Sequence, residues 1–204
     1  MILPPGCLSR EPSHKEDMRK LAFALFSVLF ATAALAQTAQ DKPFEPYPGQ
    51  PGKDVVWVPT PEVTVQKMLD MAKVTAKDFV MDLGSGDGRN VIAAAKRGAR
   101  GLGVEWEEEM VKISRMNAEK AGVADKAKFV RGDMFEADIS QATVLALFLL
   151  PDNLRRLKPK FEKMKPGTRI VTNGFAIDGW DPREVGKAEG DCGSWCTVYL
   201  YIVK

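Results

Sequence analysis

Val80-Met81-Asp82-Leu83-Gly84-Ser85-Gly86-Asp87-Gly88-Arg89 is followed shortly by Gly103-Val104-Glu105-Trp106. The first run reads as a buried strand that carries one acid, then three alternating glycines. Glycines let the backbone turn sharply and let a ligand approach without meeting a Cβ. Arg89 opens a helical pattern that Gly98 stops. A second strand, Gly101 to Glu105, ends on another acid. Strand, glycine turn, helix and strand in this order make the unit with which open α/β sheets bind ligands at their carboxyl edge.

The alternation continues on both sides. Upstream, Val63, Val65, Met68, Leu69 and Ala72 share one helical face over Glu62 to Ala72, with Thr60 suited to the N-cap and Pro61 to the first turn. Downstream, a helix is expected over Glu107 to Ala121, a strand over Lys128 to Arg131, and a nearly continuous apolar strand over Thr143 to Leu150. A helix over Asn153 to Lys163 is interrupted or restarted near Pro159. Strands over Arg169 to Phe175 and Thr197 to Val203 follow. Alternating strands and helices imply right-handed crossovers. The fold class is α/β, a Rossmann-like three-layer sandwich with a mostly parallel sheet. Six strands are clear. Either Glu184 to Ala188 supplies a seventh, or the sheet is truncated at its last edge strand.

The acid at position 82 narrows the ligand. A dinucleotide places pyrophosphate at this helix start, where a carboxylate would repel it. S-adenosylmethionine has no phosphate, and its ammonium group attracts a carboxylate. Asp82, Asp87 and the turn amides of Gly84, Ser85, Gly86 and Gly88 are therefore candidates for the methionine end. Asp82 would also cap the loop's own amides. Glu105 can accept both ribose hydroxyls. Trp106 lies either against adenine or on the surface. Asp133 either accepts from the adenine amino group, with Met134 and Phe135 against the ring, or is a solvated loop residue.

Composition bounds the rest. The 204 residues suffice for one domain with a core, and 29 Lys+Arg against 27 Asp+Glu leave a net charge of +2. Such balance carries no electrostatic footprint for nucleic acid. Met18-Arg19-Lys20, the apolar run Leu21 to Leu35 and Ala34-Leu35-Ala36 have the three parts of a secretory signal peptide, with Met18 as the expected initiator. Residues 1–36 are thus a leader, 37–58 a Pro- and Gly-rich lead-in with a short edge segment over Val55 to Val58, and 59–204 the functional domain. The expected location is exported or periplasmic, or membrane-anchored if the leader stays uncleaved; a cytoplasmic location is left open. The single histidine, His14, falls in the leader, so the mature domain has no imidazole base or ligand. No metal site is expected, since Cys192 and Cys196 supply too few ligands. Those two cysteines form a disulfide in an oxidising compartment, or stay reduced near a strand start.

At these residues the chain resembles the class I, seven-stranded S-adenosylmethionine-dependent methyltransferases, over roughly Pro59 to Lys204. A narrower resemblance runs through Val58-Pro59-Thr60-Pro61, the glycine loop, Ala142-Thr143-Val144 to Leu149-Leu150-Pro151, and Lys165-Pro166-Gly167-Thr168-Arg169. These stretches are similar to a group of protein-lysine methyltransferases whose mitochondrial members modify the ATP synthase c-subunit and the adenine nucleotide translocase. The resemblance implies that Thr60 contacts the cofactor, and that the partner is a protein lysine, a membrane protein among the candidates, or else a small-molecule acceptor. A non-catalytic cofactor-binding protein is the further alternative. Oligomeric state stays undefined.

A lysine amine must lose its proton before it can accept a methyl group, which costs about 4–5 kcal/mol at pH 7 from a pKa near 10.4. An apolar channel lowers that cost. Phe148, Leu149, Leu150 and Pro151 are the channel candidates, with Phe148 where many relatives carry tyrosine. Methyltransferases for planar nitrogens usually carry Asn/Asp-Pro-Pro-aromatic after this strand. Leu150-Pro151-Asp152-Asn153 does not match it.

Overall fold

The computed structural model describes residues 44–204. The leader and the start of the lead-in lie outside the described residues. One compact unit runs over Pro46–Lys204 and so takes in residues 46–58, which the sequence assigns to the lead-in.

Seven strands form one sheet in the order β3-β2-β1-β4-β5-β7-β6. They are β1 (Phe79–Leu83), β2 (Arg100–Glu105), β3 (Ala127–Arg131), β4 (Val144–Leu147), β5 (Arg169–Asn173), β6 (Glu184–Lys187) and β7 (Thr197–Ile202). The first five are mutually parallel, and β7 runs antiparallel to both β5 and β6. The weak Glu184 segment is therefore the edge strand, and the expectation of a truncated sheet is corrected. Its sequence signal was faint because an exposed edge strand buries little, as Glu184, Val185 and Lys187 show.

The helices are α1 (Glu62–Met71), α2 (Arg89–Lys96), α3 (Glu108–Lys120) and α4 (Pro151–Phe161). On one face of the sheet, Val65, Met68 and Leu69 of α1 and Ala93 and Ala94 of α2 pack on Val80, Val144 and Val171. Val91 of α2 and Val111 of α3 meet Phe129 of β3 alongside. On the other face, Leu154, Leu157 and Phe161 of α4 cover Met81, Leu145 and Ile170. Strands buried on both faces read as continuous apolar runs.

Three expectations shift. Thr60 is not the N-cap of α1: Pro61 holds that place without a side-chain cap, and the buried Thr60 gives its carbonyl to Arg89 at 2.7 Å. The chain leaves β4 at Leu147, so Phe148 to Leu150 form a loop end, and Pro151 opens α4 at its first turn. There its missing N–H costs nothing. Pro159 sits inside α4 without breaking it.

The amino ends of the strands are tied by Asp78. Its carboxylate accepts from the Thr75 amide (2.8 Å), the Thr143 hydroxyl (2.8 Å) and the Arg169 guanidinium. Burial alone would raise its pKa, but these donors and the Arg169 charge hold it below the ordinary carboxylate value. A depressed folded pKa means stability that is full above the unfolded value and is lost as pH falls through the folded one. Asp78→Ala leaves Arg169 with its bond to the Ala72 carbonyl but without its counter-charge, and the expected loss is about 3 kcal/mol in a denaturant titration at pH 7. The difference between wild type and variant should shrink as the pH is taken below about 4.

Candidate active site

The carboxyl ends of β1, β2 and β4 open onto two adjoining cavities. The larger, about 930 Å³ including its open mouth, is lined by Gly84, Glu105, Trp106, Asp133, Met134, Phe148, Leu149 and Leu150, among others. The smaller is lined by Thr60, Asp82, Ser85, Asp87, Arg89 and Asn90. Gly84, Phe148, Trp57 and Val58 border both. Most of the sequence-derived candidates thus converge on one place.

Asp82 is 3 % exposed and accepts from the Asn90 side-chain amide at 3.1 Å. Burial pushes its carboxyl well above the ordinary value, with Glu105 and Asp87 adding to the rise and Asn90 opposing it. Asn90 Oδ1 is buried without a partner among the described residues. A buried carboxylate beside an orphaned acceptor is a site that wants a cationic donor. The ammonium of S-adenosylmethionine supplies one.

Asp87 behaves differently. Both of its oxygens accept from Arg89, at 3.0 and 2.6 Å, while Arg89 also reaches the Thr60 carbonyl. Asp87 therefore fixes the entry to α1 against the glycine loop. Ser85 turns its hydroxyl inward, where a Cβ on Gly103 would meet it at 2.5 Å, and that hydroxyl has no partner among the described residues.

Of the three glycines only Gly84 faces the cavity. A Cβ on Gly86 would run into the Trp57 indole, and one on Gly88 would sit 2.6 Å from Phe129. Close packing thus calls for glycine at the other two positions: Gly86 admits a tryptophan, and Gly88 lets α2 close on β3. All three hold positive φ, 70°, 54° and 86° in turn.

Glu105 accepts from the Gly86 amide at 2.8 Å and from the Glu107 amide at 3.0 Å, one oxygen each. Each oxygen keeps a lone pair for a ribose hydroxyl. Asp133 accepts from the Phe135 amide at 2.8 Å and from Lys53 at 2.5 Å. Lys53 is the first cause that holds its pKa low. The same ammonium lies 4.0 Å from the Trp106 ring centre.

Lys53 belongs to a segment that sequence reasoning left outside the site. Residues 49–57 form a loop closed by Gly49 N–H to the Trp57 carbonyl (2.7 Å) and Trp57 N–H to the Gln50 carbonyl (2.9 Å). No strand forms at Val55 to Val58, where an edge segment was expected. Gln50 to Val58 all line the larger cavity. The signal available was Trp57 next to a proline-rich run, a large aromatic with no helix or strand to pack into. Phe175 and Trp195 also line this cavity and were likewise missed. Pro151, by contrast, is not among its lining residues.

The residues fit S-adenosylmethionine. Asp82 and Asn90 would hold its amino-acid end, and Glu105, Asp133 and Met134 its nucleoside. When bound, this cofactor supplies an electrophilic methyl group on a sulfonium. The chain's own part is to orient that methyl, exclude water and admit an acceptor.

A sheet of this order with an acid before the glycine turn defines a class I S-adenosylmethionine-dependent methyltransferase. Residues 82–184 match the ANTKMT methyltransferase domain, and the chain belongs to that family. It is 49% identical over 152 residues to a protein-lysine N-methyltransferase of Saccharolobus islandicus, covering 73% of this chain and 94% of that one. It is 34% identical to the mouse lysine N-methyltransferase of the ATP synthase c-subunit, over 62% of this chain and 51% of the relative, so it spans about half of that protein. Among solved structures, an RNA methyltransferase from Salinibacter ruber in complex with S-adenosyl-L-homocysteine superposes with a TM-score of 0.67 at 47% identity. That match covers 72% of this chain and 94% of the other.

Proposed function

We propose that this methyltransferase transfers its methyl group to the ε-amine of lysine in a protein. The carrying observation is the apolar acceptor side of the cavity. Phe148, Leu149 and Leu150 leave β4 there with no Asn/Asp-Pro-Pro-aromatic run and no histidine among the described residues. Such a wall disfavours an ammonium and so helps deprotonate a lysine, where a planar base would need polar partners. The Saccharolobus islandicus and mouse relatives support this reading by their names. Those of the mitochondrial type, acting on the ATP synthase c-subunit and the adenine nucleotide translocase, extend it to membrane proteins.

RNA is the competing acceptor, favoured by the Salinibacter ruber relative. Labelled S-adenosylmethionine offered to a host extract, split into protein, RNA and low-mass fractions, separates the readings. Label is expected on protein, surviving nuclease and released as methyl-lysine on acid hydrolysis. Label confined to RNA or to low-mass compounds overturns the proposal.

The leader adds a location to this reading, with export and cleavage after Ala36. The Cys192–Cys196 disulfide supports it, because such bonds persist in oxidising compartments. The mature chain is then expected to begin at Gln37, as N-terminal sequencing from the native host would show. A chain that still begins at Met18 counts against cleavage.

A further inference from the structure

Trp195 stands on a five-residue loop closed by the Cys192–Cys196 disulfide. Several devices hold that loop. The Trp195 amide donates to the Cys192 carbonyl at 2.8 Å. The Trp195 carbonyl accepts from the Thr64 hydroxyl of α1 at 2.9 Å. The carbonyl of the next residue, Cys196, accepts from the Ala188 amide at 2.8 Å. Gly174, at φ 75°, leaves room for the ring: a Cβ there would sit 3.0 Å from Trp195 and 3.5 Å from Phe148. The indole meets Phe148 edge-on, with centroids 5.1 Å apart, and Phe175 at 5.8 Å. All three rings line the larger cavity and are only partly buried. Phe175 also packs against the core, whereas Trp195 is kept in place by a disulfide, a helix hydroxyl and the room left at a glycine.

We propose that Trp195, with Phe148 and Phe175, forms an aromatic wall along which the acceptor's amine-bearing side chain lies. The inference rests on the lysine reading and assigns the residues that recognise that lysine. Phe148 borders both cavities, so the wall begins between the amino-acid and nucleoside ends of the cofactor site. A slender aliphatic chain suits a continuous wall of ring faces and edges in contact with one another. Rings also exclude water, which favours the neutral amine that must attack. In attack by the neutral amine the N–CH3 bond would form as the methyl's bond to sulfur breaks, S-adenosylhomocysteine leaving as the neutral thioether. The nitrogen then carries the positive charge and presents methyl groups to the rings, an arrangement that aromatic faces attract, until it gives up a proton to water for the next attack. The wall therefore retains a monomethylated or dimethylated lysine for another round. Trp195 is a specificity residue here, and the disulfide is its positioning device.

The test takes the full enzyme, labelled cofactor and a library of single-lysine peptides, with the best-methylated peptide as probe. Trp195→Ala should raise the peptide KM at least tenfold. It should also shift products from trimethyl- toward monomethyl-lysine by mass spectrometry, and leave the S-adenosylhomocysteine Kd within twofold. Trp195→Phe should restore most of both properties. A peptide KM and product pattern unchanged in Trp195→Ala, or a cofactor Kd that weakens in step, overturns the wall. Should Trp195→Ala fail to fold, the Cys192→Ser/Cys196→Ser variant carries the same test: a raised KM supports the wall, and an unchanged KM overturns it. A wild-type enzyme that labels no peptide sinks the lysine reading itself. A labelling wild type with an indifferent variant sinks only the wall.

Discussion

Asp82→Asn is expected to weaken S-adenosylmethionine binding by roughly two to three orders of magnitude while making the free protein more stable. The two effects share one cause. Asp82 is fully enclosed, and its burial raises its pKa. A folded pKa above the unfolded value means that the native state holds a proton the unfolded chain has lost. Stability then falls as pH rises from the ordinary carboxylate value, near 3.9, toward the raised one. The amide abolishes that penalty, since it cannot ionise, and it fits the space beside Asn90. The bound cofactor brings an ammonium that neutralises the carboxylate, so in the wild type it offsets the same penalty. Losing one partner of a buried ion pair costs about 3–5 kcal/mol, hence the loss of affinity. Cofactor binding to the wild type should also tighten as pH rises through the raised pKa, and the variant should lose that slope. Calorimetric titration at several pH values, beside thermal melts of the unliganded proteins, reads all three effects. A variant that binds as tightly as wild type would remove Asp82 from the cofactor site.

The parts of this design legible in the sequence are those where one residue type has few alternatives. Asp82 between apolar residues, glycines on alternate positions and Glu105 at a strand end each violate the pattern around them, and the structure gathers all of them at one sheet edge. The parallel core was legible for the same reason, because Val144 to Leu147 is apolar on both faces. What stayed hidden depends on long-range contact. Trp57 reaches Gly86, and Lys53 reaches Asp133, 80 residues away. The only local sign in 49–57 is Trp57 itself, because the loop is closed on itself by few backbone hydrogen bonds and by no regular pairing. Trp195 was hidden likewise, since the antiparallel return of β7 beside β5 brings it to Phe148. The strand boundary at Leu147 was blurred by apolar residues that continue past it, Leu149 into the core and Phe148 and Leu150 toward the cavity.

Gly88→Ala and Gly86→Ala should separate packing from ligand access within one motif. At Gly88 a methyl group would lie 2.6 Å from the Phe129 ring and 2.9 Å from Ser114 Cβ, with φ at 86°. The left-handed conformation costs about 1–2 kcal/mol for a non-glycine residue, and overpacking a core adds about 1–3 kcal/mol. Phe129 cannot yield, because it is 3 % exposed and wedged between α2 and α3. A loss of about 3–4 kcal/mol is expected, which for a domain of this size lowers Tm by about 10 °C. At Gly86 the obstacle is the far end of the Trp57 side chain, on a loop rather than in the core. That indole can swing away, so Tm should drop by only a few degrees, the cost of φ alone. The displaced Trp57 then uncovers the border between the two cavities. The Gly86 amide that donates to Glu105 also shifts with it. Cofactor Kd should therefore rise about tenfold or more in Gly86→Ala. In Gly88→Ala, measured well below its lowered Tm, it should stay near the wild-type value. Parallel melts and titrations decide the matter: equal losses of Tm in the two variants would mean that the glycine turn is a single packing unit with no division of labour.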